Sequence, residues 1–479
     1  MAESDAADQQ RASPVLTARY SEARRSLISG VLPTVPMKPS RICIPLSIAL
    51  GLDPRLSGAR ALVQYSCSFR GAPPSLETRF RLQRKFARMT ELRSTDLFPP
   101  AEAADADRST GLLPSQLLRE AVAQGREILS PQPIEDDQIQ PASIDLRLGE
   151  IAYRVRASFL PGPRASVRDK LDLLSMHQFD LTRGAVLEKD CVYIVPLLEY
   201  VSLRKRTSAA ANPKSSTGRL DVFARVITDQ GTEFDRVREG YKGPLFAEIS
   251  PRAFSILVRT GSRLVQLRIR RGSPGFSDTA LRRLHEEVRL VDGPAGPKTI
   301  RNGLPFTVDV AGDKASGIAG FKARRHTDVI DIDRSSYYDL RDFWEPVYSH
   351  RGPKGQGGIV LDPNDFHILA SREAVVVPPD HAAEMLPYDT FVGEFRVHYA
   401  GFFDPGFGAV ETGGTGSRAV LEVRSHEVPF LIEDGQIVGR LVYERLIARP
   451  DKLYGAPIGS SYQRQGLALS KHFKRFTPR

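Results

Sequence analysis

Cysteine is scarce in this chain: there are three in 479 residues, Cys43, Cys67 and Cys191, and no two stand at Cys-x-x-Cys spacing. That excludes a disulfide framework and leaves no ligand set for a structural zinc. Long apolar runs are lacking too, with none near the roughly 18 residues that a membrane span requires. Met1–Asp5 lacks the basic-then-apolar order of a secretory signal. A cytoplasmic protein with no membrane partner is therefore expected. Charge of one sign is missing from most of the sequence. The formal net charge is +10, but residues 1–88 hold 14 Lys and Arg against 6 Asp and Glu, while the other 391 residues carry 53 against 51. The main body lacks the basic footprint of a nucleic-acid-binding domain, so no nucleic-acid partner is expected.

Residues 1–108 mix Ala, Ser, Pro and Arg with short apolar pieces such as Ile42–Leu50. No apolar period lasts long enough to build a packed element, and a disordered extension is expected, with Met89 or a nearby codon as a candidate natural start. From Gly111 the chain changes character. Leu112–Gly125 has apolar residues at helical spacing with Gly125 as a stop, and after it alternating and β-branched runs dominate, separated by Gly, Pro and Asp clusters. The fold class expected is mostly β with a few short helices.

That β region is duplicated at an offset of 174 residues. RGAVLEKDCVYIVPLLE is echoed by GGIVLDPNDFHILASRE, which pairs Gly184 with Gly358, Ile194 with Ile368 and Glu199 with Glu373. FAEISPRAFSILVRTGSRLV is echoed by VLEVRSHEVPFLIEDGQIV, which pairs Glu248 with Glu422 and Gly261 with Gly435. One offset held through so many apolar and turn positions indicates two homologous modules in tandem. The Gly- and Pro-rich stretch Asp292–Gly303 suggests modules at 109–297 and 298–479.

Two features carry possible chemistry. Lys214, Ser215, Ser216 and Arg219 place an ammonium, two hydroxyls and a guanidinium around Gly218, a set suited to a polyphosphate but also compatible with a solvated turn. Glu248, within Leu245–Ile249, is a carboxylate in an apolar strand. It can be an outward-facing residue, a paired core residue, or an acid-base group raised in pKa by an apolar wall.

Together these segments resemble the dCTP deaminases of the trimeric dUTPase-like superfamily, over roughly Gly111 to Arg475. The motifs are QIQPASIDLRLG at 138–149, PKSSTGRL at 213–220, GYKGPLFAEIS at 240–250 and the tail YGAPIGSSYQRQGLALS at 454–470. The resemblance implies two β-clip-type modules that hydrolyse the amino group of dCTP to give dUTP and ammonia. It implies no zinc, and Mg2+ enters only as a companion of the triphosphate. A Glu like Glu248 would be the general acid-base, helped by Ser215, Arg219 and the backbone of Thr228. Lys214 and Ser216 would meet phosphates, Asp235 and Tyr241 the sugar, and Tyr454, Tyr462 and Gln465 would belong to a lid.

The second module offers an alternative set: Glu422, the backbone of Ala400, and Asp404 match the base-and-sugar pocket better. It lacks the phosphate signature, since Asp389 or Pro387 stands opposite Ser215 and Gly393 or Phe391 opposite Arg219. Glu248 is preferred because its own module retains Ser215 and Arg219, while Glu422 remains open as part of a composite pocket. Because family sites lie between neighbouring modules, a homo-oligomer is expected. Competing functions are a dUTP diphosphatase, a bifunctional enzyme that continues to dUMP, and a nucleotide-binding regulator without catalysis. The zinc-deaminase signature is not completed: His285-Glu286 has no following cysteines and reads as a helix face, and His398 and His426 read as structural.

Overall fold

The β-branched runs become strands in both halves of the chain. The structure, a computed structural model, describes residues 110–292, 299–351, 357–387, 395–398, 401–425, 427–455, 462 and 465–475. The extension expected at 1–108 lies outside them. Helix α1 (Ser115–Ala123) realises the first helical period and buries Leu118 and Ala121. Gly125, at φ +56, turns the chain away just past its end.

In the first module, strands β1 (Ile151–Val155), β2 (Ser175–Asp180) and β3 (Val192–Ser202) are followed by β4 (Thr207–Pro213), β5 (Val222–Thr228), β6 (Lys242–Pro251) and β7 (Val265–Arg271). One sheet has the order β2-β1-β3-β6-β5, and a second pairs β7 with β4. Helix α2 (Val167–Leu174) packs Val167 and Leu171 beside Ile194, Ile227 and Phe246 of the first sheet.

In the second module, β8 (Leu304–Asp309), β9 (Ile318–Ala323), β10 (Trp344–Tyr348), β11 (Phe366–Val375), β12 (His381–Pro387), β13 (Phe402–Phe403) and β15 (Ile437–Arg445) form a sheet in the order β10-β9-β11-β8-β15-β12-β13. Strand β14 (Ser417–Ser425) joins it on β11.

The register bears out the duplication. Glu248 on β6 faces Ile194 on β3, and Glu422 on β14 faces Ile368 on β11, so both partners shift by the same 174 residues. Gly261 and Gly435 both adopt positive φ, +86 and +81. Glu199 and Glu373 are both buried and both accept a backbone N–H, from Arg147 (2.7 Å) and Thr307 (2.8 Å).

The modules share one interior. Ile318, Phe321, Trp344, Phe366, Val420 and Phe473 of the second belong to the same apolar cluster as Leu146, Leu220, Val226 and Phe254 of the first. The short strand Ile330–Asp331 adds in parallel to Ile256–Val258, and Arg259 grips both Asp331 oxygens at 2.7 and 2.9 Å. Helix α3 (Ser215–Gly218) is one turn between β4 and β5. Helix α4 (Asp278–Glu287), which lies before the Gly- and Pro-rich stretch, buries Leu281 and Leu284 within the second module's core. Its Glu286 and Glu287 are exposed, as a solvated helix face requires. No helix among the described residues is long and apolar enough to cross a membrane.

Candidate active site

Strand β4 ends at Pro213, and Lys214 stays extended before α3 closes with Thr217 and Gly218 N–H groups donating to the Lys214 carbonyl (2.8 and 3.0 Å). This turn lifts Ser215, Ser216 and Arg219 to the wall of a cavity of about 260 Å³. Arg219 is buried, and Lys214 forms an ion pair with the buried Asp145.

The opposite wall comes from the second module. Glu422 on β14 lines the same cavity, together with Phe402, Phe403 and Asp404. Burial pushes the Glu422 carboxyl up to about 8, with Asp221 pushing the same way and Arg219 opposing. Among the described residues none donates a hydrogen bond to that carboxylate. Asp404 accepts from Arg268 Nη2 (3.0 Å), and Arg268, fully buried, also donates to the Phe403 and Ala383 carbonyls (both 2.9 Å) and lies 4.0 Å above the Phe402 ring.

The tail closes the third side. Gln465 Oε1 accepts from Arg219 Nη2 (2.9 Å), the Ala468 carbonyl accepts from Nη1 (3.1 Å), and Arg219 sits 3.8 Å over the Tyr462 ring. The Tyr462 N–H donates to the Tyr454 hydroxyl (3.2 Å), and the Tyr454 ring tilts against Phe407 at 5.5 Å. Ser470 donates to the Ser216 carbonyl (2.7 Å) and lies 2.8 Å from Nδ1 of His472, whose Nε2–H donates to the Ile332 carbonyl (2.9 Å).

Lys214, Ser215, Ser216, Arg219, Asp404, Glu422, Tyr454, Tyr462 and Gln465 thus converge on one cavity. Glu248 is elsewhere in the chain. It faces Arg225 on β5, whose Nη2 donates to Glu248 Oε1 at 2.5 Å, and the Arg225 guanidinium is capped by Phe234 at 3.8 Å. On that face of the sheet Val167 and Leu171 of α2, with Phe159 and Leu160, form an apolar cluster with Ile194, Ile227 and Phe246. Within one chain, the structure brings Glu422, not Glu248, to Ser215 and Arg219. Thr228 is equally removed: its carbonyl accepts from Gly231 N–H (3.0 Å) in a tight turn beside a separate cavity. Asp235 accepts from the Val226 N–H (2.8 Å), with burial pushing its carboxyl up to about 7. Tyr241 donates to the Pro244 carbonyl (2.8 Å), and neither residue lines the Ser215 cavity. Ala400 lies outside the described residues.

The sequence reading missed three charged groups. Asp145 sits inside the quoted QIQPASIDLRLG motif, Arg268 interrupts the apolar alternation of β7, and Asp221 follows Arg219 by two positions; each was visible as a charge amid apolar neighbours. Among the described residues no group of three or more His, Cys, Asp or Glu is placed to hold a metal ion.

Comparison with known proteins identifies the family. Residues 109–273 match the family described as 2'-deoxycytidine 5'-triphosphate deaminase (DCD) N-terminal domain, and residues 277–473 match its C-terminal domain. A crystal structure of 2'-deoxycytidine 5'-triphosphate deaminase from Agrobacterium tumefaciens is 54% identical, with a TM-score of 0.66, and the match covers 71% of this chain and 100% of that one. Curated relatives include a "dCTP deaminase, dUMP-forming" from a Parafrankia strain, 31% identical over 31% of this chain and 73% of its own length. Another of the same description, from Methanobrevibacter smithii, is 28% identical over 40% of this chain and 90% of its own length. Two domain matches in tandem and a half-identical solved structure leave one conclusion: the chain belongs to the dCTP deaminase family of the dUTPase-like superfamily.

Proposed function

We propose that the reaction, dCTP + H2O → dUTP + NH3, takes place in the composite cavity with Glu422 as general acid-base. The observation that carries this is the meeting of Glu422, buried and raised to about 8, with Ser215, Ser216 and Arg219 of the other module. A carboxyl of that basicity can take a proton from water as the oxygen attacks C4 of the cytosine, and return it to N3. The carboxylate then takes the proton of the new C4 hydroxyl and passes it to the amino nitrogen, so the C4=O bond forms as the C4–N bond breaks and ammonia leaves. Arg219 restrains the carboxylate, and Ser215 holds the water. Lys214 and Ser216 meet the phosphates of the substrate, which enters as its magnesium complex. Asp404, fixed by Arg268, faces the sugar, and Tyr454, Tyr462 and Gln465 cover the occupied site.

Glu422→Gln preserves shape and removes the proton carrier, so turnover should fall by roughly 100- to 10,000-fold while dCTP binding stays measurable. Glu248→Gln should keep turnover within a few-fold. The reverse pattern, an active Glu422→Gln and a dead Glu248→Gln, would sink the composite site.

A second product has one observation behind it: the Parafrankia and Methanobrevibacter relatives are named dUMP-forming. If this chain shares that property, pyrophosphate and dUMP will accumulate with ammonia. We favour release of dUTP, in keeping with the name of the half-identical Agrobacterium structure. Product analysis of a single turnover separates the two.

A further inference from the structure

Behind the cavity wall, two more charges join the modules. Asp221 is fully buried and two residues beyond Arg219; its backbone sits at φ +57, a left-handed conformation uncommon for a residue other than glycine. Arg424 is buried two residues beyond Glu422 on β14, so strand alternation puts both side chains on the same face of the sheet. The Arg424 guanidinium donates to the Asp221 carboxylate and to the Asn364 carbonyl. The Asp221 backbone is fixed on both sides, its N–H donating to Gly218 (2.8 Å) and its carbonyl accepting from Arg252 (2.8 Å).

We propose that Asp221 and Arg424 are positioning residues for deamination: their buried ion pair clamps the Arg219 turn of the first module to the Glu422 strand of the second. The proposal rests on Glu422 being the acid-base. The turn and the strand are also joined by the shared apolar interior and, only through the tail, by Gln465, which accepts from Arg219 and donates to the Arg418 carbonyl on β14 (2.9 Å). The pair fixes the distance between Arg219 and Glu422 through groups of fixed length, each two residues from the side chain it positions. It also suits unlike modules only. At the repeat offset Arg424 corresponds to Ser250 and Asp221 to Phe395. A contact between two first modules would therefore leave Asp221 buried opposite a serine, and one between two second modules would leave Arg424 opposite a phenylalanine; burying either charge unpaired is strongly unfavourable.

The charged groups around Glu422 are Arg219 and Asp221 from the first module and Arg424 on its own strand, and Asp145, Lys214, Asp404 and Lys471 line the same cavity. Its neighbours in register are Ile368 on β11 and His398 on the strand Phe395–His398, and Tyr454 and Tyr462 of the tail line the same cavity. Removing one member of the pair tips the balance of charge acting on Glu422 towards the other member, with the remaining groups unchanged.

The test uses Asp221→Asn, Arg424→Gln and the double variant in the full chain. The measurements are kcat, KM for dCTP, the low-pH limb of kcat/KM and thermal unfolding. Each single variant should lower kcat about 10-fold or more, the scale on which small misplacements act, with KM changed less than about threefold because Ser215, Ser216 and Lys214 are untouched. The limb should move to lower pH in Asp221→Asn, which removes a negative charge near Glu422, and to higher pH in Arg424→Gln, which removes a positive one. In the double variant the limb should return to its original position while kcat stays low. A pair that merely stabilises the fold would lower the unfolding temperature without moving the limb or the kcat of the folded protein, and that result overturns the proposal. If neither single variant folds, wild-type kcat in the folded double variant overturns it. Glu422→Gln keeps the two ideas apart: an inactive Glu422→Gln beside a fully active double variant removes only the clamp.

Discussion

A carboxyl raised to about 8 is protonated in the empty site at neutral pH, and this has a cost that can be measured. In the unfolded chain a glutamate titrates near 4.3. Between that value and about 8 the native state binds the extra proton, so folding stability contributed by Glu422 is present at low pH and is lost as pH rises through its folded value. Glu422→Gln should therefore melt at a higher temperature than the parent at pH 8, and the gap should close towards pH 5; calorimetry at the two pH values checks it. For the same reason kcat/KM should rise with pH up to about 8, because the base works unprotonated. At this scale the sequence was half legible. Lys214 to Arg219, Asp404 and the tail residues were recognisable by residue type and motif. The choice between two glutamates at equal register was not, because it depends on what covers each one. Arg225, Phe234 and helix α2 fill the space at Glu248, and nothing in the alternation of either strand reports that.

Among the elements, the tail does more than lie over the site. Phe473 is packed with Tyr338, Phe343 and Trp344, and Tyr454 with Phe407, so the segment that touches Arg219 is held at both ends. Burial pushes His472 down to about 4, so its ring is neutral across the working range, with Nε2–H given to Ile332. Gln465 supplies the side-chain acceptor for Arg219. A hydrogen bond to a charged group contributes about 1.5–3 kcal/mol, so Gln465→Ala should lower kcat/KM by about 10-fold or more, read from initial rates at low dCTP. An unchanged kcat/KM would show that the tail's contact with Arg219 is incidental. The strands themselves were well read from periodicity, since the β-branched runs of both modules are paired where expected. Helix α4 was harder to assign, because its polar face and its place before a Gly- and Pro-rich stretch concealed Leu281 and Leu284, which bury on the later module.

For the molecule as a whole, what matters is that Arg219 and Glu422 line one cavity within a single chain. The expectation of a homo-oligomer rested on the need for adjacent modules, and a single chain supplies both. Activity per chain should thus be independent of dilution. An equimolar mixture of Arg219→Ala and Glu422→Gln chains, each inactive, should stay inactive, because every site draws both residues from the same polypeptide. Recovery of about a quarter of the parent rate would instead place the sites between chains. Breaking Asp221–Arg424 from one side should also cost stability, about 3–5 kcal/mol for a buried pair, visible as a lower denaturation midpoint in either single variant and largely regained in the double.

Filling of the space beside Glu248 bears on how substitutions spread along such a chain. Here one copy carries the Lys214–Arg219 signature and an apolar cluster on the sheet face of its carboxylate, while the other carries its carboxylate in the cavity and has no Ser-Ser-x-x-Arg at the repeat offset. Neither is a spare. A saturation scan scored for deaminase activity should give complementary maps: intolerance at 214–221 in the first copy against freedom at the corresponding 388–395, and loss of activity from Glu→Gln at 422 in the second against its retention at 248 in the first. The two halves have become a lock and its key cut from one template, and exchanging either for a second copy of its sibling would leave a chain with nothing to turn over.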